Sequence, residues 1–155
     1  MSKSLAVYFS ASGVTAALAK RLAGACGADL FEIVADPVYT DKDLNWRNPL
    51  ARCNKEFFGK KDVPSLGVVD DMAQYDTLFV GFPIWYGVAP NVVHTFLKGY
   101  DLTGKKILIF ATSGGSGIGK TAEKLAEYAP GAKVVKAKVF RPDASEEELR
   151  EWAEE

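Results

Sequence analysis

Residues 5–15 read Leu-Ala-Val-Tyr-Phe-Ser-Ala-Ser-Gly-Val-Thr. An apolar run from Leu5 to Phe9 ends in a loop that carries Ser10, Ser12, Gly13 and Thr15. An amphipathic segment follows at once, with Val14, Ala17, Leu18, Leu22 and Ala25 on one helical face. The order is strand, tight polar loop, helix start. A helix start presents N–H groups without intrahelical acceptors and the positive end of the peptide dipoles. Ringed by small hydroxyls, it makes a cup for a dianionic phosphate. The loop holds no Lys or Arg. A phosphate bound there is held by neutral donors, which suits a permanently bound monoester better than a triphosphate handled with a metal. The plain alternative is a capped helix with spare hydroxyls; the cluster of hydroxyls and a glycine after a central strand favours phosphate.

The chain has 155 residues, enough for one domain with a real core and too few for two comfortable ones, so residues 1–155 are expected to form a single domain. With 48% hydrophobic and 25% charged residues it reads as an ordinary soluble globule. A net charge of −1 argues against a general nucleic-acid binder and gives no support for a strongly acidic docking face. Cys26 and Cys53 form no CxxC and no metal-ligand spacing, and are expected to be inert thiols in a reducing, cytoplasmic setting. Met1-Ser-Lys-Ser4 runs straight into the first strand, so no signal peptide is expected. No apolar stretch approaches the ~20 residues that a membrane span needs.

Five runs read as strands. Leu5–Phe9, Leu78–Phe82 and Ile107–Phe110 are continuously apolar, whereas Ala28–Val34 and Lys133–Phe140 mix charges into the pattern. Strands buried on both faces read as unbroken apolar runs, and edge strands tolerate charge. Runs one, three and four are therefore expected at the centre and runs two and five at the edges. Helical segments between them imply an α/β fold, a parallel sheet wound on both faces, with the doubly wound order 2-1-3-4-5. Pro90 suits the start of a helix carrying Val92, Val93, Phe96 and Leu97. Ser145 and Glu148 form a capping box that opens a last helix with Leu149 and Trp152. Gly117–Ala129 reads as a further helix with its preceding loop. Residues 35–76, with Trp46, Phe57 and Phe58 among charges, predict one helix near 50–59 and otherwise long loops.

In such a sheet, ligands bind beyond the carboxyl ends of the strands, where the strand order reverses. The loops after runs one, three and four meet there, and all three have unusual composition. Pro83, Ile84, Trp85, Tyr86 and Gly87 place two large aromatics after run three. Flat rings with polar handles suit a planar ligand; the alternative is that they plug the sheet end or face a partner chain. Thr112, Ser113, Gly114, Gly115, Ser116 and Gly117 follow run four. Glycines there let the backbone approach a ligand closely; the alternative is a flexible linker. Gly114–Thr121 also matches the phosphate-cradling pattern GxxxxGK[ST]. Its late position and the lack of a later apolar strand ending in an acidic residue count against that reading. Lys120 and Thr121 are expected in an ordinary helix start. His94, the only histidine, is expected to have a surface or packing role rather than a catalytic one.

Taken together, these residues resemble the flavodoxin family. The Ser-x-Ser-Gly-x-Thr loop at 10–15 is similar to that family's phosphate loop, and the runs at 81–90 and 112–117 to its two flavin-ring loops. A Tyr-Thr-Asp-x-Asp-Leu-Asn-Trp stretch at 39–46 matches a bacterial short-chain branch. The resemblance covers nearly the whole chain. It implies a flavodoxin-like fold and tight, non-covalent FMN. Ser10, Ser12, Gly13, Val14 and Thr15 would hold the phosphate. Pro83, Ile84, Trp85, Tyr86 and Gly87 would border the isoalloxazine, and Thr112 to Gly117 would contact its polar edge. Trp46 would cover a face of the ring or of a partner. Family members that carry electrons are typically strongly acidic, and this chain is nearly neutral.

Three functions are compatible with this reading. The first is an electron-transfer protein that shuttles between redox partner proteins or hands electrons to a small acceptor, as a monomer or weak homodimer, without nucleic acid or membrane. The second is an FMN-dependent NAD(P)H:quinone-type oxidoreductase. The third is a non-enzymatic nucleotide-binding or redox-sensing interaction module. No catalytic acid or base and no metal ligand is expected.

Overall fold

The structure is a computed structural model that describes residues 3–10, 13–35, 65–66, 69, 71–84, 89–112, 120–141 and 143–154. The apolar run at the start becomes β1 (Ser4–Phe9), followed by α1 (Val14–Cys26) and β2 (Asp29–Ala35). A two-residue strand, β3 (Ser65–Leu66), precedes β4 (Thr77–Pro83), α2 (Asn91–Lys98), β5 (Lys106–Thr112), α3 (Thr121–Ala126), β6 (Lys133–Val139) and α4 (Glu146–Glu154). β1 pairs in parallel with β2 on one side and β4 on the other; β4 pairs with β5 and β5 with β6 in the same sense. The five parallel strands run in the order 2-1-3-4-5, as the burial pattern predicts.

One strand was not anticipated. β3 adds to the outer side of β2 in antiparallel fashion, with Val34 opposite Leu66 and Ala35 opposite Ser65, so the full order is β3-β2-β1-β4-β5-β6. Two residues are too few to show an alternating pattern, so this part of 35–76 reads as loop in the sequence. The helix expected near 50–59 lies outside the described residues. At the other edge, β6 carries Lys133, Lys136 and Lys138, the charge that keeps an open strand edge from pairing with other chains. Its register slips by one residue, because Ile107 faces Val134 while Leu108 faces Lys136. Val135 is the extra residue and stands exposed.

Alternation along the central strands divides the core into two layers. Leu5, Val7 and Phe9 share a layer with Leu78, Val80, Phe82, Ile107 and Ile109, covered by Val92, Val93, Phe96 and Leu97 of α2 and by Leu125 of α3. Ala6 and Tyr8 join Phe79, Leu108 and Phe110 on the opposite face, under Leu18 and Leu22 of α1 and Leu149 and Trp152 of α4. The Trp152 ring sits edge-on to Phe140 at 5.1 Å between centroids. Each buried side chain of this size contributes about 1.5–3 kcal/mol through removal from water. Gly81 is required by packing. A Cβ there would lie 2.2 Å from ring atoms of Phe110, its register partner on β5.

The buried stripe of α1 differs from expectation. It consists of Thr15, Leu18, Ala19, Leu22 and Ala23, while Val14 and Ala17 face outward. Leu18 and Leu22 lie on both stripes, and alanines carry too little apolar surface to decide the rotation. α3 is shorter than the segment 117–129 suggests, and Thr121 is fully buried at its start. Among the described residues, no helix is long and apolar enough to cross a membrane.

At the amino ends of the strands the chain is tied by structural contacts. The Tyr75 hydroxyl donates to Asp29 Oδ2 at 2.7 Å, and the buried Lys105 ammonium donates to the Tyr75 carbonyl. Burial, followed by the Asp29 carboxylate, pushes the Tyr75 hydroxyl up to about 12.

Candidate functional site

β1 is the point where the winding reverses. β2 lies on one side of it and β4, the next parallel strand, on the other. The crevice this creates at the carboxyl ends of β1, β4 and β5 is where an open α/β sheet takes a ligand. Ser10, Gly13, Val14, Thr15, Pro83, Ile84 and Thr112 come from those three strand ends or the turns after them. Ser12, Trp85, Tyr86, Gly87, Ser113, Gly114, Gly115, Ser116 and Gly117 lie outside the described residues, as does Trp46.

The first loop is braced by its own residues. Ser10 Oγ accepts a hydrogen bond from the Gly13 backbone N–H at 3.0 Å. Gly13 takes a left-handed conformation with φ +91° and ψ −12°, which a side chain would oppose. No side chain caps α1, and its first ladder bond runs from the Ala17 N–H to the Gly13 carbonyl at 3.1 Å. The N–H groups of Val14, Thr15 and Ala16 therefore lie ahead of the ladder. Among the described residues, and apart from its chain neighbours, no atom lies within 4 Å of where a Cβ on Gly13 would stand.

Thr112, the last residue of β5, links the elements around the crevice. Its hydroxyl lies 2.8 Å from that of Thr15, and both side chains are buried. Its carbonyl accepts from the Ile84 N–H at 2.8 Å, one step beyond the Pro83–Thr112 register pair. The first turn of α1, the residue after β4 and the end of β5 are thus tied together through Thr112. The Ile84 side chain itself turns into the core. Sequence reading placed Thr112 in the third loop but contained no signal for its contact with Thr15.

The remaining chemistry-bearing residues lie elsewhere. Lys120 is exposed and its carbonyl accepts from the Lys124 N–H at 3.0 Å, an ordinary helix start. His94 is 3% exposed and stacks on Tyr128, with ring centroids 4.3 Å apart and planes 15° from parallel. Neither ring nitrogen has a hydrogen-bond partner among the described residues. Burial lowers the imidazole to about 4, with the ammonium of Lys124 and then that of Lys98 acting in the same direction against Glu127. His94 is a neutral packing residue. Burial likewise raises the Cys26 thiol, so it is not an activated nucleophile. Among the described residues no group of three or more His, Cys, Asp or Glu side chains could hold a metal ion.

A family model described as flavodoxin matches residues 3–155. No curated protein matches the chain. Among solved structures, it is similar to a candidate flavoprotein of Bacteroides eggerthii at 36% identity, covering 99% of this chain and 97% of that one with a TM-score of 0.92. A candidate flavoprotein of Bacteroides uniformis shows 35% identity, 99% coverage of both chains and the same TM-score of 0.92. The fold is shared with a Lactobacillus acidophilus flavoprotein solved in complex with FMN, at 23% identity, 99% coverage of both chains and a TM-score of 0.71. The match over nearly the whole length, on a sheet wound 2-1-3-4-5, shows that this chain belongs to the flavodoxin family.

Proposed function

We propose that this chain binds FMN at the carboxyl ends of β1, β4 and β5 and works as an electron-transfer protein. The observation that carries the reading is that Thr112, at the end of β5, is bonded both to Thr15 in the first turn of α1 and to Ile84 just after β4, at the point where the sheet reverses its winding. The donor set fits the cofactor. The N–H groups at the start of α1, with the hydroxyls of Ser10, Ser12 and Thr15, offer neutral donors to a phosphate monoester. Among the described residues nothing but its chain neighbours crowds the outer side of Gly13. Pro83 and residues 85–87 and 113–117 would border the isoalloxazine, with Trp85 and Tyr86 as flat neighbours, while the buried side chains of Ile84 and Thr112 stand behind it.

FMN, when bound, supplies the redox chemistry, and the protein supplies binding, orientation and electrostatics. Residues 10–15, 82–90 and 111–119 contain no Asp, Glu, Lys, Arg, His or Cys. No carboxylate, imidazole or amine stands in these loops to deliver a proton to a substrate, which favours passing electrons over reducing an organic acceptor. The redox partner is a protein or a small acceptor that approaches this uncharged end. A net charge of −1 gives little long-range steering toward a basic docking partner, which keeps an NAD(P)H:quinone-type oxidoreductase as the second reading.

Two measurements test this. Ser12→Ala should weaken FMN by ~1–3 kcal/mol while leaving riboflavin nearly unchanged, because only the phosphate contact is lost. Equal losses for the two flavins would move the phosphate elsewhere. Purified FMN-loaded protein mixed with NADH or NADPH and a quinone should show no sustained nicotinamide oxidation; steady turnover would replace the carrier reading with the oxidoreductase one.

A further inference from the structure

We propose that Thr112 is a positioning residue for the phosphate of FMN, acting through Thr15 rather than on the flavin ring; the inference rests on the FMN site proposed above. The Thr15 and Thr112 hydroxyls are 2.8 Å apart, and the two residues are 2% and 5% exposed. Each hydroxyl owns one hydrogen and can also accept. One of the two hydrogens is used between them, so the pair has one left to donate. A phosphate dianion accepts and does not donate, and its bonds to neutral donors are charge-assisted. With phosphate at the start of α1, Thr15 donates outward and its oxygen accepts from Thr112. The direction of the buried pair is then set. Thr112 holds Thr15 in the donating orientation, and bonds in such a chain strengthen one another.

The backbone of Thr112 makes the arrangement firm. Its carbonyl is already engaged by the Ile84 N–H at 2.8 Å, and its strand neighbours hold it in register with Pro83. Its side chain is therefore presented to Thr15 from a fixed point on β5, while Thr15 lies in the first turn of α1. A residue that touched the ring would affect FMN and riboflavin alike. A residue that works through Thr15 affects only the flavin that carries a phosphate.

The test is a set of fluorescence-quenching titrations of apoprotein with FMN and with riboflavin. Thr112→Val, which keeps the shape and removes the donor, should weaken FMN by roughly 3–10-fold and leave riboflavin within about 2-fold. Thr112→Ser should restore FMN binding. Thr15→Val combined with Thr112→Val should bind FMN no more weakly than Thr15→Val alone, since the second change has nothing left to orient. Equal weakening of both flavins by Thr112→Val, or additive losses in the double variant, would overturn the inference and leave the FMN site standing. Parent protein that takes up neither flavin would overturn both. If valine is not accommodated, Thr112→Ala carries the same FMN-against-riboflavin comparison.

Discussion

His94 illustrates how burial decides the chemistry of a single residue. A lone histidine on a helix near a ligand loop invites a catalytic role, yet its ring is packed flat against Tyr128 with Lys98 and Lys124 over the same tyrosine at 5.6 and 5.7 Å. Burial disfavours the charged ring first, and the ammonium groups of Lys124 and Lys98 add to it, which lowers the imidazole from 6.5 to about 4. Between those values the unfolded chain binds more protons than the folded one. The stabilisation is complete above pH 6.5 and is lost as the pH falls toward 4, on the order of 3 kcal/mol in total. His94→Phe should therefore unfold in urea at pH 7 within about 1.5 kcal/mol of the parent and lose less stability than the parent at pH 4.5. A parallel pH dependence in both proteins would show that His94 does not titrate in this window.

Among the elements, α4 shows how far local sequence reaches. The Ser145–Glu148 spacing predicts a capped helix, and Ser145 Oγ accepts from the Glu148 N–H at 3.1 Å. Glu146, Glu147 and Glu148 crowd the first turn, where the dipole favours negative charge. Ser145→Ala should cost about 1 kcal/mol, read from the urea midpoint and from Trp152 fluorescence as α4 leaves the sheet. A midpoint shift below about 0.3 kcal/mol would mean that neighbouring contacts, such as Arg21 donating to the Ala144 carbonyl at 2.7 Å, hold the helix start without the cap. The rotation of α1 and the strand β3 lay beyond such reasoning. Alanine spacing does not orient a helix, and a two-residue strand exists only because β2 offers it an edge.

At the scale of the whole molecule, ligand and fold are linked by mass action. FMN at one hundred times its dissociation constant should add about 2.7 kcal/mol of stability and raise Tm by roughly 5–10 °C. An unchanged Tm at saturating FMN would separate binding from the folded state and contradict the proposed site. By itself, the sequence determined the strand order and the central position of β1, β4 and β5. The reason is that strands covered on both faces must be apolar throughout, and that requirement is written locally. It also identified the three loops, because glycine, hydroxyl and aromatic composition is equally local. The tertiary structure alone decided which residues in those loops touch. Thr15 and Thr112 are 97 positions apart, and nothing in either neighbourhood encodes the other. Their contact follows from the winding of the sheet, which sets the end of β5 beside the start of α1.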